Sequence, residues 1–456
     1  MVDVSQGREA AAYLTRALGR RGFLQAAAAM GAVTTLGACT SSSPGATAAG
    51  SSNAVAPLTG TTPLQPDSGD VTGDVYLAST PDEVLWGYVP SVHATPVRTM
   101  RSGQTITIDA LSHEGILEDQ GRDPVEYFGS HGVEPAGVLE DAVAVAADYR
   151  RTPRNFDVDG PHVVTGPVFV EGAVPGDVLK IETLEAVPRV PYGVVSSRHG
   201  KGALPLLPDG TPAPGLTLDQ VMPAASADNR ASGNPMEYGN VSIFTPIEND
   251  QGVMGSGDVE LRFPLRVFMG MMGVAYADTT ELTAPELNSI PPTLGGGNID
   301  IRHLGVGSSF YLPVRAEGAL FYVGDPHLAM ADAEVALTAM EGSVRGTFRL
   351  TVCKPGSGDA PSVAYRYPFA ETPEYWIPVG LSDPDGAGGG QNTSDLDIAM
   401  RQAVVNALDF LEHDKGLDRQ VAYAYLSVAA DFALSQVVDR TVGVHGLIRK
   451  ADFHTV

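Results

Sequence analysis

Histidines placed beside glycines and carboxylates are the first chemical signal in this chain. His113 precedes Glu114 at the end of a strand-like run. His131 sits in Gly129-Ser130-His131-Gly132, His162 opens His162-Val163-Val164-Thr165-Gly166-Pro167, and His199 lies in Arg198-His199-Gly200-Lys201-Gly202. Asp325-Pro326-His327 sets an oxygen donor and a nitrogen donor two residues apart, on one side of an extended chain. That pairing suits a borderline cation such as zinc. It equally suits a turn capped by Asp325 with His327 merely hydrogen-bonded. No His-Glu-x-x-His, paired Cys-x-x-Cys or EF-hand loop occurs, so a metal site must be assembled from distant segments.

Carboxylates give the second signal. Glu171 ends the apolar run Phe169-Val170-Glu171 and reads either as a general base or as an edge charge against aggregation. Glu334 and Glu341 flank an expected strand, Val335 to Met340, and invite the same two readings. Asn298 and Asp300 follow Gly295-Gly296-Gly297 in a polar turn that can bind a carbonyl or only shape the chain. No Gly-Lys-Ser/Thr follows those glycines, which excludes a phosphate loop, and no Gly-x-Ser-x-Gly elbow supports a serine hydrolase. Met269-Gly270-Met271-Met272-Gly273 reads as core packing.

The elements that must position these groups are mostly strands. From Val75 to about Val352 the apolar runs are short, alternating and bounded by Gly, Pro and Asp, as in Thr105–Ile108, Val168–Val170, Val178–Ile181 and Phe310–Val314. Ser102-Gly103-Gln104, Pro175-Gly176-Asp177 and Val306-Gly307-Ser308 each set a tight turn before a strand, which suggests related β-units. Helix is expected late, over Asp397 to Leu411 with Ser394 or Asp395 as cap and Gly416 at the end, and over Arg419 to Leu434 capped by Asp418. A short strand follows at Gly443 to Ile448. The predicted class is α+β, predominantly β: a sandwich-like core of related strand units with a late helical pair. Cys353 lies in a strand-like run as a buried small hydrophobe.

The 456 residues carry a formal charge of -25, with 18% charged and 43% hydrophobic residues. That balance describes a globular chain and argues against nucleic acid or an anionic lipid surface as partner. The N-terminus reads as an address. Arg20-Arg21-Gly22-Phe23-Leu24 before an Ala-rich apolar run resembles a twin-arginine export signal, and Leu36-Gly37-Ala38-Cys39 resembles a lipobox. The expected organisation is a signal peptide over 1–38, a Ser/Gly/Ala/Pro tether over 39–72 and one domain over 73–456, strand-rich to about 352 and α+β over 353–456. The chain would be exported, touching a membrane only through lipid on Cys39.

Several ordered motifs resemble the acetamidase/formamidase family. They are His162 through Asp177, Phe268-Met269-Gly270-Met271-Met272-Gly273-Val274-Ala275, Gly296-Gly297-Asn298-Ile299-Asp300, Tyr311-Leu312-Pro313-Val314, Val323-Gly324-Asp325-Pro326-His327 with Asp332 and Glu334, and Ser435-Gln436-Val437-Val438-Asp439. The resemblance spans roughly residues 90 to 450. Two departures stand out: Met330-Ala331-Asp332-Ala333-Glu334 replaces a Gln-Gly-Asp-Gly-Glu stretch, and Gly295 stands where many members have histidine. The resemblance implies metal-assisted hydrolysis of a small neutral linear amide to a carboxylic acid and ammonia. It implies a divalent metal, zinc by preference, held by His162, Asp325 and His327 with His113 as a further ligand. Glu171 or Glu334 would be the base and Asn298 a carbonyl or oxyanion partner, in a homo-oligomer. The competing reading is a lipid-anchored binding protein that keeps the fold without amidase activity.

Overall fold

In a computed structural model of the chain, residues 62–224, 240–385 and 394–454 are described, and these belong to one contact unit, Pro57–Val456. The expected signal and most of the tether lie outside them. No helix among the described residues is long and apolar enough to cross a membrane.

Two large, mostly antiparallel sheets dominate. The first runs Val75–Leu77, Thr105–Ala110, Val344–Cys353, Val178–Pro188, Ser309–Pro313, Phe369–Glu371, Tyr375–Leu381, Gly443–Arg449, Asp431–Gln436. The second runs Val259–Pro264, Gln251–Ser256, Asn240–Glu248, Tyr192–Arg198, Met340–Glu341, Phe321–Ala329, Phe268–Val274, Gly296–Asn298, with Val163–Glu171 also paired to Phe321–Ala329. Alternating side chains of both sheets meet in one core. Ile106, Ile108 and Phe348 from the first pack with Met269, Met272, Phe321 and Val323 from the second, and Phe321 and Phe348 meet edge-on at 6.0 Å. The strand-rich reading therefore holds, and Met269, Met271 and Met272 are core residues as expected. Gly103, Gly176 and Gly307 all adopt positive φ before their strands, which is why the three turns recur at glycine.

The late helices form at Leu396–His413 and Arg419–Ala429. Asp395 accepts from Asp397 N and Ile398 N, and Asp418 from Gln420 N and Val421 N, so both expected caps are made. The second helix stops earlier than its apolar pattern suggests. Asp431–Gln436 instead pairs with Gly443–Arg449, placing Phe432 and Leu434 against Ala399 and Ala403. Helix is also not confined to the C-terminal part. Pro124–Ser130, capped by Asp123, and Glu140–Asp148 pack Phe128, Ala142 and Val145 near Trp86 and Tyr192. The first has an Asp-Pro start as its sequence signal, the second has no capping side chain, and both are too short to show a stripe.

Two further expectations need correction. Val335 to Met340 is not a strand: only Met340–Glu341 pairs, and Ala333, Glu334 and Leu337 have positive φ that breaks extended structure. The segment from residue 62 to 72 is not a free tether either. Leu64 N donates to Arg189 O (2.7 Å), Arg189 Nε donates to Leu64 O (3.0 Å), and Arg345 donates to Ser68 O. Buried guanidinium groups need acceptors, and this polar segment's carbonyls supply them.

Candidate active site

The site forms where strand ends of the second sheet meet the loop after Thr105–Ala110. His162 immediately precedes Val163–Glu171, which pairs with Phe321–Ala329, the strand that carries Asp325 and His327. Asp325 has φ 48° and is missing from a ladder to Phe268–Val274 that otherwise keeps one register from Met271↔Gly324 to Met269↔Pro326, so the backbone departs from extended geometry at the residue that turns into the site. His113 arrives from the neighbouring segment. Its Nδ1 lies 3.6 Å from Asp325 Oδ1, and His162 Nε2 lies 3.6 Å from the same oxygen. His327 Nε2 lies 3.1 Å from Asp325 Oδ2 and 3.2 Å from Glu341 Oε1, with Glu334 Oε1 at 3.8 Å. All six side chains are buried.

His113, His162, Asp325, Glu334 and Glu341 line a cavity of about 280 Å³ with Asn298 and Asp439, and His327 stands behind Asp325 and Glu341. Arg154, Arg198, Lys201 and Arg440 also line it, beside Phe156, Ile290 and Leu337. Arg154 pairs with Glu118 and Asp159, and Arg198 with Asp119 at 2.8 Å. The volume is at the small end for a ligand site and suits a molecule of a few heavy atoms.

Supporting contacts fix the imidazoles. His162 Nδ1 is 2.9 Å from Ser289 Oγ, which leaves Nε2 toward Asp325. Glu114 backs His113 at 3.5 Å and is itself held by Ser196 Oγ (2.8 Å) and Gln120. Glu341 Oε1 accepts from Ala339 N at 3.0 Å. Gly270 lies opposite Asp325 in that register, and a Cβ there would stand 2.5 Å from Asp300 Oδ1 and 2.6 Å from His327 Cε1. The glycine in the methionine run therefore serves the site, a role that packing alone did not indicate.

Burial lowers His113 to about 3 and lowers His162 as well, so both rings are neutral near neutral pH. Burial would raise Asp325, but His162 and His327 facing its carboxylate hold it well below the usual range. For His327 burial acts downward, and the Glu341 and Asp325 carboxylates outweigh it and raise it well above the usual value. Burial first, then neighbouring carboxylates, raises Glu334 well above its ordinary value and Glu341 to about 8.

The donor set fits a divalent cation. His113 Nδ1 and Asp325 Oδ1 are buried without a hydrogen-bond partner, and one ligand atom each from His113, His162 and Asp325 lies within 4.8 Å of the others. Asp325, His327 and Glu341 form a second such group, as do Asp300, His327 and Glu334. Neutral imidazole with carboxylate is the zinc type of donor.

The structure brings together His113, His162, Asp325, His327, Glu334 and Asn298 from the sequence reading. Glu171 is not with them. It is exposed at the far end of Val163–Glu171, opposite Arg101 and about 30 Å of extended chain from His162. Glu341 lies in the cavity lining instead, 3.2 Å from His327 Nε2. Of the other histidines, His131 stacks on Phe244 (4.9 Å) and His199 Nδ1 is 2.6 Å from Pro223 O. Asp439 went unnoticed as a site residue, because an acid after two valines carries no local signature. The departures from the family pattern also have structural accounts. A side chain at Gly295 would meet Tyr276 Cβ and Val274 O, both at 2.7 Å, and Met330 packs with Phe268 and Ala339.

Comparison with known proteins follows the same lines. The profile of the Acetamidase/Formamidase family matches residues 260–447. A formamidase of Methylophilus methylotrophus is 26% identical over 284 residues, 57% of this chain and 69% of that protein. An acetamidase of Mycolicibacterium smegmatis is 26% identical over 295 residues, covering 57% and 71%. Among solved structures, an acetamidase from Bacillus halodurans superposes with TM-score 0.58 at 22% identity, over 83% of this chain and 98% of the other. A predicted acetamidase/formamidase from Thermoanaerobacter tengcongensis gives 0.57 at 20%, over 83% and 96%, and both likenesses speak to the fold. The profile match over residues 260–447 and the relatives at 26% identity make this chain similar to proteins of the acetamidase/formamidase family.

Proposed function

We propose that the chain is an amidase that hydrolyses a small neutral linear amide, of formamide or acetamide size, to a carboxylic acid and ammonia with a divalent metal, zinc by preference. The observation that carries the reading is the convergence of His113, His162 and Asp325 with two carboxyls of raised pKa in one small buried cavity, with His327 directly behind Asp325 and Glu341. The family names of its relatives support the same chemistry.

His113, His162, Asp325 and His327 would hold the cation. Bound there, a divalent cation supplies Lewis acidity toward water and toward a carbonyl oxygen. The remaining roles belong to the chain. Glu334 and Glu341 face the same space, and burial raises both carboxyls, Glu341 to about 8, which suits a group that takes a proton from water and returns one to a leaving amine. Asn298 is buried in the cavity wall with Oδ1 unpaired, available to the amide group of a substrate. Phe156, Ile290 and Leu337 restrict its length and help exclude water.

The address belongs to the same proposal: export through Arg20-Arg21, a lipid on Cys39 and assembly as a homo-oligomer. The test is ammonia release from formamide, acetamide and longer amides by the metal-analysed protein and by His327→Ala. Turnover that falls with chain length and is lost in the variant is expected. Full turnover and full metal content in His327→Ala would refute the assignment.

A further inference from the structure

Away from the cavity, three side chains from distant segments turn unpaired ligand atoms on one point. His303 lies in the turn after Gly296–Asn298, Asp332 in the loop after Phe321–Ala329, and His445 inside Gly443–Arg449. His303 Nε2, Asp332 Oδ1 and His445 Nε2 are each buried without a hydrogen-bond partner. One ligand atom from each residue lies within 4.8 Å of the others.

The surroundings aim these atoms. Ser435 Oγ is 2.9 Å from His445 Nδ1, which leaves Nε2 facing the cluster. Arg302 takes Asp332 Oδ2 at 2.8 Å and leaves Oδ1 directed inward, 4.0 Å from His445 Nε2. The His303 and His445 rings meet edge-on with centroids 5.5 Å apart. Burial lowers His445 to about 3 and lowers His303, so both offer neutral nitrogens. Hydrogen bonds alone do not explain the spacing. A pair closing on itself would settle near 2.9 Å, whereas ligands around a tetrahedral ion stand about 3.3–3.5 Å apart. The 4.0 Å between His445 Nε2 and Asp332 Oδ1 is longer than either, a small contraction away from the second arrangement. Asp332 and Arg302 border a groove that gives an ion an entry path.

We propose that His303, Asp332 and His445 form a second transition-metal site of the zinc or cobalt type, separate from the cavity, with its fourth position open to the groove. The ion would clip the loop 330–337 to Gly443–Arg449. That loop already leans on the neighbouring strand through Ala333 N to Leu434 O (2.9 Å). Asp332 is two residues from Glu334, so the clip would hold the segment that delivers Glu334 to the cavity. The proposal stands on these three residues and needs no amidase activity.

The test uses the full chain, stripped with chelator and titrated with Co²⁺ and Zn²⁺. Bound metal is counted by mass spectrometry after gel filtration, and ligand-field absorption reports the cobalt geometry. His303→Ala alters a half-buried ring, and Asp332→Asn keeps an acceptor for Arg302. Each should lose one equivalent of tightly bound metal relative to the parent and keep the rest, whereas His162→Ala should lose the other. Full metal content in His162→Ala, with one equivalent still lost in His303→Ala, would leave this proposal standing and count against the cavity reading. If His303→Ala and Asp332→Asn both fold and hold as much metal as the parent, the second site does not exist.

Discussion

Gly270→Ala tests whether the cavity depends on where His327 stands. The added methyl would lie 2.6 Å from His327 Cε1, 2.8 Å from its Nε2 and 2.5 Å from Asp300 Oδ1. Carbon atoms pack at about 3.5–4.0 Å, so the ring must retreat by roughly 1 Å. It has little room, because Phe268 sits edge-on to it at 5.0 Å and the ring is fully buried. Any retreat stretches the 3.1 Å and 3.2 Å approaches to Asp325 and Glu341 beyond hydrogen-bond range. Overpacking of this kind costs about 1–3 kcal/mol of stability, and a displacement near 1 Å at a reacting centre costs about 100-fold in rate. The assay is ammonia release from formamide, with thermal unfolding and metal content on the same samples. Met272→Leu, a volume-conserving change in the same strand, is the control and should leave kcat intact. A folded Gly270→Ala protein with parental kcat would refute the claim that His327 must hold its position.

Three other outcomes are expected. Ser289→Ala removes the partner of His162 Nδ1 and should weaken cavity metal affinity by about 10- to 100-fold in a chelator competition, and unchanged affinity would deny Ser289 that role. Asp109→Asn strips the shared acid from Arg345 (2.6 and 2.7 Å) and Arg189 (3.5 Å), and urea unfolding should show a loss of about 3–5 kcal/mol, whereas a loss below 1 would mean water already compensates them. Burial pushes the Cys353 thiol up to about 11, so the unfolded chain ionises first and the contribution of this group is lost as pH rises from 9 toward 11. Cys39→Ser protein should leave Cys353 unlabelled by a thiol reagent at pH 8 until urea unfolds it, and prompt labelling of the folded protein would contradict the buried assignment.

Strand character was legible because alternation and turn residues are local properties, and the caps at Asp395 and Asp418 could be placed for the same reason. The second late helix overran its true end because the residues after Ala429 are apolar enough for either state. Pairing with Gly443–Arg449, a tertiary choice, decided it. Asp325 and His327 were legible from a two-residue spacing, but the partner that completes them was not. Glu341 reaches the site only because Met340–Glu341 pairs opposite His327, and nothing local distinguishes it from Glu171. Gly270 and Ser289 support the site through contacts 127 or fewer residues apart in sequence but adjacent in space, which no linear pattern records.

The distribution of unpaired buried atoms supplies an argument that neither motif nor family resemblance contains. Two buried guanidinium groups meet acids, Arg189 with Asp141 at 2.7 Å and Arg345 with Asp109 through two nitrogens. At the cavity several buried atoms are left over at once, with Asn298 Oδ1, Asp325 Oδ1, Glu341 Oε2 and His113 Nδ1 in its lining and both Asp300 oxygens and His327 Nδ1 close behind. An unmade buried hydrogen bond costs about 1–3 kcal/mol, so a chain under no other demand would have replaced these groups with hydrocarbon. Of the cations that line the same space, Arg154 is committed to Glu118 and Asp159, and Arg198 to Asp119. Unpaired acceptors gathered around the neutral imidazoles of His113 and His162 are arranged for something that arrives from outside. That inference depends on stability alone, and it would hold for this cavity even if the amide were the wrong substrate.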